Sequence, residues 1–300
     1  MPVRPETEGG LESAVRLGAI LLSVLSTACT ARPVSQASRA IEPHWSYEVV
    51  ASRAAQELSI SVQFEGETDS ELTVGAGAEP YVYGVEVLEP RGWRGLESRK
   101  GSWFLANPCH ARCTVRYGVR LGDEARAETD SEVARAYDGA IEAPPSTWLL
   151  RPARARPRTP FRFHVTSAAG DRFVSGVFPS QDDSDTYEGF TDNYYQLAYA
   201  AFGQLRVRDL HARKIRVAML PGPADADPAI DAWIETSAHA VENFYGSFPV
   251  PHLLILVHPT AGDSVGFGTT MGHSGAAITI DVGVRTSPEE FRDDWVLVHE

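Results

Sequence analysis

The last fourteen residues, Ser287-Pro-Glu-Glu-Phe-Arg-Asp-Asp-Trp-Val-Leu-Val-His-Glu300, carry the side chains best placed to do chemistry. His299 and Glu300 directly follow the apolar run Trp295-Val-Leu-Val298. An imidazole and a carboxylate closing an apolar helix match the first half of His-Glu-x-x-His. In that pattern two histidines four apart share one helix face and bind Zn²⁺, and the Glu between them is a general base. The second histidine would fall at position 303, beyond this sequence. The same dipeptide is also an ordinary surface pair on many helices, so its weight depends on its surroundings.

Three other stretches offer chemistry of their own. With Cys29 set aside, Cys109 and Cys113 are an even pair in the short loop Asn107-Pro-Cys-His-Ala-Arg-Cys113. In an oxidising compartment they could close a disulfide; the alternatives are two free thiols, or a zinc site with His110 that lacks a fourth ligand. Asp182, Asp183 and Asp185 suggest a calcium loop, but Tyr187 and Glu188 stand where an EF-hand requires an oxygen ligand and then Gly. A solvated linker accounts for them better. The Gly-rich loop from Gly262 to Gly275 is a poor phosphate cradle, because no helix follows it and no Lys stands nearby.

At 300 residues the chain has room for two domains, each able to bury a core. Hydrophobic content of 43% and charged content of 22% are those of a globular protein. A formal net charge of -13 argues against nucleic acid as a partner, since phosphate contacts need clustered Lys and Arg. Arg154, Arg156 and Arg158 do cluster, but among Pro152, Pro157 and Pro160, as in a solvated turn.

Residues 17–28 form an apolar run too short to span a bilayer, with Arg16 before it and Cys29 after it. This resembles a bacterial lipoprotein signal, in which Cys29 becomes the lipid-bearing first residue. A plain secretory signal and a buried helix are the alternatives. The expectation is export, either anchored in the cell envelope through a lipid on Cys29 or secreted.

The elements that must position the terminal His-Glu pair fall into two sets. Trp45, Tyr47, Val49 and Ala51 alternate, as do Leu58, Ile60, Val62 and Phe64. Further strands are expected at Tyr81–Leu88, Ser102–Leu105, Thr114–Leu121, Thr147–Leu150, Phe161–Val165 and Phe173–Phe178. That spacing, without a long amphipathic helix, predicts an antiparallel β-sandwich over 43–180. It follows a signal at 1–29 and a linker at 30–42. The second domain is placed at 190–300. There, strands are expected at Phe202–Val207 and Ile215–Leu220, and a helix from Asp227 to about Tyr245. The inner face of that helix is read as Ile230, Trp233, Ile234, Ala238, Val241 and Phe244, and Gly246 ends it. Buried strands follow at Pro251–Val257 and Gly275–Val282. Ser287, Pro288 and Glu290 then form a capping box opening the terminal helix, with Phe291, Trp295 and Val298 on its buried face.

The order helix, strand, Gly-rich edge strand, strand, capped helix carries a family resemblance. Tyr245-Gly-Ser-Phe-Pro249, Leu253–Val257 and Asp294-Trp-Val-Leu-Val-His-Glu300 resemble the opening of a gluzincin catalytic domain, in particular the glycyl aminopeptidase family, relatives of the aminopeptidase N group. The resemblance implies a β + α/β fold: the β-sandwich followed by the first part of a thermolysin-like catalytic domain, with a PDZ domain often farther on. It implies His299 as first zinc ligand and Glu300 as general base. The family carries a Gly-Gly-x-Glu-His type sequence before the motif helix, whose Glu helps hold the substrate's amino terminus. Here that place is Thr269-Thr-Met-Gly-His-Ser-Gly275; His273 matches, while Met271 or Gly272 stands where the carboxylate belongs.

The expected function is therefore zinc-dependent hydrolysis of a peptide or protein substrate by a longer protein of which this is the front part. Residues 1–300 alone, with at most one of the His₂Glu ligands, are expected neither to hold zinc tightly nor to cleave peptides. The competing expectation is a non-enzymatic envelope lipoprotein, with a ligand-binding β-sandwich and a degenerate peptidase scaffold.

Overall fold

In the computed structural model, alternation along the first strands builds the first sheet. Residues 44–128, 133–181, 183, 185–192, 197–222 and 227–300 are described. The expected signal with Cys29, the expected linker and Asp182 lie outside them. Strand β1 (His44–Ala51) buries Trp45, Tyr47, Val49 and Ala51, and β2 (Leu58–Glu65) buries Leu58, Ile60, Val62 and Phe64. They pair antiparallel with Trp45 opposite Phe64, which puts all eight side chains on one face.

Short strands follow: β3 (Glu71–Thr73), β4 (Val82–Glu89), β5 (Gly92–Gly95), β6 (Ser98–Arg99), β7 (Ser102–Phe104) and β8 (Arg112–Val119). A helix, α1 (Leu121–Ala127), takes the end of the stretch expected to be strand up to Leu121. Then come β9 (Arg135–Tyr137), β10 (Ala140–Glu142), β11 (Arg151–Pro152), β12 (Pro160–Thr166), β13 (Arg172–Ser175), β14 (Thr186–Phe190) and β15 (Ala200–Gly203). One sheet runs β14-β12-β1-β2-β8-β4-β5; two smaller ones run β11-β3-β7-β6 and β13-β15-β10-β9. Their buried side chains join one core. Within these three sheets the strand pairs are antiparallel except β1 with β12, which is parallel.

Residues 147–150 are not the expected strand. Pro145–Thr147 is a single 3₁₀ turn, and Trp148, Leu149 and Leu150 then cross the core fully buried. Their backbone is satisfied in part by side chains: Tyr117 Oη donates to Trp148 O at 2.9 Å and accepts from Leu150 N at 2.8 Å, and Tyr47 Oη donates to Leu150 O at 3.0 Å, while Trp148 N and Leu149 N donate to Pro145 O. The Trp148 ring packs edge-on against Phe163 and Phe202, each at 5.6 Å between centroids. The strand expected over Phe202–Val207 is likewise divided. Gly203 has φ +107 and lies against the backbone of Gly139, so a side chain there is excluded twice over.

The second sheet contains β16 (Arg206–Leu210), β17 (Ile215–Met219), β18 (Leu253–Thr260), β19 (Val265–Met271) and β20 (Ala277–Gly283), in the order β16-β17-β18-β20-β19. The three central strands are parallel, and the crossover from β17 to β18 is α2 (Asp227–Tyr245). Both faces of the sheet are buried, by alternation. Ala218, Leu220, Leu254, Leu256 and Ala277 join the sandwich core. Val217, Met219, Ile255, Val257, Ile278 and Ile280 join a second core with Ile230, Trp233 and Ile234 of α2. At the C-terminal end of α2, Val241 is only half-buried and Phe244 is 82% exposed, contrary to the expected inner face. The middle of the stretch read as a Gly-rich loop is the edge strand β19, paired antiparallel to β20.

The terminal helix opens as its sequence requires. Glu290 N donates to Ser287 Oγ at 3.2 Å and Ser287 N donates to Glu290 Oε2 at 2.8 Å, a closed capping box. It is, however, two helices, α3 (Pro288–Asp293) and α4 (Val296–His299). Asp294 is extended at ψ 137, and its Oδ1 accepts Val296 N at 3.0 Å, so a side-chain turn replaces the helical ladder. The break rotates the buried face. Phe291 and Leu297 are buried, while Trp295 is 65% exposed and Val298 is exposed too.

Candidate active site

His299 and Glu300 end α4 at the rim of a cavity of about 270 Å³. Its walls are apolar: Ile234 and Ala238 from α2, Ile255 and Ile278 from the sheet, and Leu297 from α4. His299 is exposed and its ring lies edge-on to Trp295, 5.2 Å between centroids. Glu300 is half-buried and held by β19: Thr270 Oγ1 lies 2.7 Å from its Oε2 and 3.1 Å from its backbone carbonyl. A Cβ on Gly268 would stand 2.9 Å from Glu300 Cγ and 3.2 Å from Val296 Cγ1, so this strand can lie against α4 only because residue 268 has no side chain.

Strand alternation decides what the edge strand shows to Glu300. Gly268 and Thr270 share the face toward α4, while Met271 is buried in the sandwich core. Gly272 is exposed and His273 half-buried; the backbone carbonyl of His273 accepts Ala198 N at 3.3 Å. Thr270 was thus the missed neighbour of Glu300, and the period of two along β19 was the signal that could have found it. Cys109 and Cys113 are joined in a disulfide.

A second titratable group lies where three strands meet. His258, at the end of the buried stretch of β18, has Nδ1 3.2 Å from Asp281 Oδ1 of β20 and Nε2 3.1 Å from Glu142 Oε2 of β10. The contact with Glu142 has ion-pair distance without hydrogen-bond alignment. Tyr137 Oη donates to the same Glu142 oxygen at 3.2 Å. Burial alone would lower the His258 pKa, but the Asp281 and Glu142 carboxylates outweigh it and hold it at about 9. The hydrogen bond with His258 in turn lowers the Asp281 pKa. Burial, and then the charge of Glu142, push the Tyr137 phenol up. Nothing in the sequence joined these residues.

Catalytic zinc takes three protein donors. Among the described residues, no three-donor group includes His299. The one imidazole and one carboxylate at the end of α4 therefore do not by themselves make a zinc site.

No protein-family model matches the chain, and no curated protein matches its sequence. Solved structures do match. An aminopeptidase N family protein from Idiomarina loihiensis aligns with a TM-score of 0.59 at 15% identity, over 80% of this chain and 42% of that one. Native yeast LTA4 hydrolase aligns at 0.47 and 15% identity, over 83% of this chain and 43% of its own. An M1 zinc metallopeptidase mutant from Deinococcus radiodurans aligns at 0.44 and 16% identity, over 85% and 63%. The last two scores are too low to carry an argument. The first likeness shows the fold: the β-rich part and the mixed sheet with its helices align with that aminopeptidase N family protein. The chain spans less than half of that protein's length.

Proposed function

We propose that the chain is the front part of a zinc-dependent peptidase of the aminopeptidase type, related to the glycyl aminopeptidases. His299 would be one metal donor, and the others would come from residues following Glu300. The observation that carries this reading is the placement of His299 and Glu300 at one end of a short helix, against a Gly-containing edge strand and beside an apolar cavity. Thr270 holds the Glu300 carboxylate by a hydrogen bond, and a carboxylate so oriented is a base for a water entering the cavity. Tyr245 and Val298, both exposed and apolar, line the same cavity as His299 and Glu300, an apolar surface that supports docking of a substrate side chain. The substrate is a peptide or protein. Export, with attachment to the envelope through a lipid on Cys29, completes the proposal.

One observation favours the scaffold reading instead. No Asp or Glu occurs in β19, so no carboxylate of that strand is available to hold a substrate amino terminus. The two readings separate on the protein carrying its natural continuation past Glu300. Purified after chelation and resupplied with Zn²⁺, a peptidase retains one equivalent that His299→Ala removes and cleaves unblocked peptides. A scaffold holds no equivalent that depends on His299 and cleaves nothing.

A further inference from the structure

The 3₁₀ turn His211–Arg213, between β16 and β17, has an unusual backbone. His211, Ala212 and Arg213 have φ of 49, 53 and 69, three consecutive non-glycine residues in the left-handed region. This turn presents buried His211 to α2, where Glu235, His239 and Glu242 succeed one another at helical spacing on one face. None of the four lines the cavity beside His299.

We propose that His211, Glu235 and His239 form a binding site for a divalent transition ion of the zinc class, with Glu242 as its supporting carboxylate. Glu235 Oε2 lies 3.2 Å from His211 Nδ1 and 3.9 Å from a ring nitrogen of His239, and one donor atom from each residue falls within 4.8 Å of the others. Donor atoms around a four-coordinate zinc stand about 3.3 Å apart, given bonds of about 2.0–2.1 Å. The donors therefore need only small movements to close on an ion. Two imidazoles and one carboxylate suit zinc and its neighbours better than magnesium or calcium.

The surroundings are those of a ligand held in place. His211 N donates to Glu235 Oε1 at 2.6 Å, which fixes that carboxylate and leaves Oε2 for the ion. His211 Nε2 stands 3.2 Å from Glu242 Oε2, and Glu242 is itself paired with Lys214 at 3.1 Å. A ligating histidine whose second nitrogen faces a carboxylate is the usual outer support of a metal site. His239 is exposed, so a turn of its ring exchanges the 2.6 Å contact of Nδ1 with the Glu235 carbonyl for a metal bond. Bound there, the ion ties the β16–β17 connection to α2.

The same geometry has one rival, His211 held between the Glu235 and Glu242 carboxylates with no metal. Calorimetric titration of the chelated 1–300 chain with Zn²⁺ alone separates the two. We expect one equivalent bound, retained in His299→Ala and weakened at least tenfold in His239→Ala. Glu242→Gln should weaken it about tenfold to a hundredfold, as loss of an outer carboxylate does. His239→Ala alters an exposed side chain, and an unchanged melting temperature confirms its fold. No binding by the wild type, binding unchanged in His239→Ala, or binding lost only in His299→Ala would overturn the proposal.

Discussion

The single hydroxyl of Thr270 on the edge strand lies between two acceptors of Glu300 at the end of the last helix, the carboxylate at 2.7 Å and the backbone carbonyl at 3.1 Å. The pair is thirty residues apart in sequence, and it fixes how the end of α4 lies on the sheet. If Glu300 is the base, Thr270 is a positioning residue. A hydrogen bond to a charged group contributes about 1.5–3 kcal/mol. Thr270→Val in the protein extended past Glu300 should therefore lower kcat about tenfold or more, with KM nearly unchanged, and Thr270→Ser should restore most of it. Equal kcat in wild type and Thr270→Val would remove Thr270 from the account.

The sandwich makes its own prediction. Tyr117→Phe removes one hydroxyl that serves both Trp148 O and Leu150 N, leaving two backbone groups without that partner in the core. The cost should be about 1–3 kcal/mol for each group left unsatisfied. Urea unfolding of wild type and variant measures it, and a change below about 0.5 kcal/mol would mean that Tyr117 does not hold this segment.

Stability should also fall as the solution becomes alkaline. His258, held at about 9 against an ordinary 6.5, contributes stability that is complete below about 6.5 and is lost as pH rises through 9. Burial, then the charges of Glu128 and Glu79, push Glu124 up to about 8, so its neutral form favours the fold in full below about 4.5 and loses that advantage through pH 8. Asp281, whose pKa is lowered, works in the opposite sense, losing its contribution only as pH falls through its folded value. Urea midpoints should drop between pH 6.5 and 9.5, and Glu124→Gln should flatten the lower part of that drop. A pH-independent midpoint, or a rise, would contradict these assignments.

Local signals were readable in the sequence, and long-range ones were not. Alternation at Trp45–Ala51 and Leu58–Phe64 marks strands because neighbouring residues alone set which side chains share a face. The capping box at Ser287 is equally local, and α2 spans Asp227–Tyr245 as its periodicity and the following Gly246 imply. The break at Asp294 escaped because one carboxylate bonding forward competes with an otherwise regular helical pattern. Residues 147–150 read as strand because their apolar character is visible, whereas the Tyr47 hydroxyl that takes the place of a strand partner lies 103 residues from Leu150. Glu142, His258 and Asp281 come from three strands, so only the folded topology brings them together. The helical spacing of Glu235, His239 and Glu242 is a local signal that was not read as a site, and the turn that adds His211 carries no local signal.

The most direct test of the peptidase reading is paired zinc content and peptide hydrolysis, measured on the protein extended past Glu300 and on two variants. Glu300→Gln keeps the shape of the side chain and removes its capacity to take a proton, so it should retain wild-type zinc while losing nearly all turnover. His299→Ala should lose turnover together with the one zinc equivalent that depends on His299, any zinc at the His211 group being retained, because it removes one of the few donors a catalytic site has. Full hydrolysis by Glu300→Gln would contradict the account.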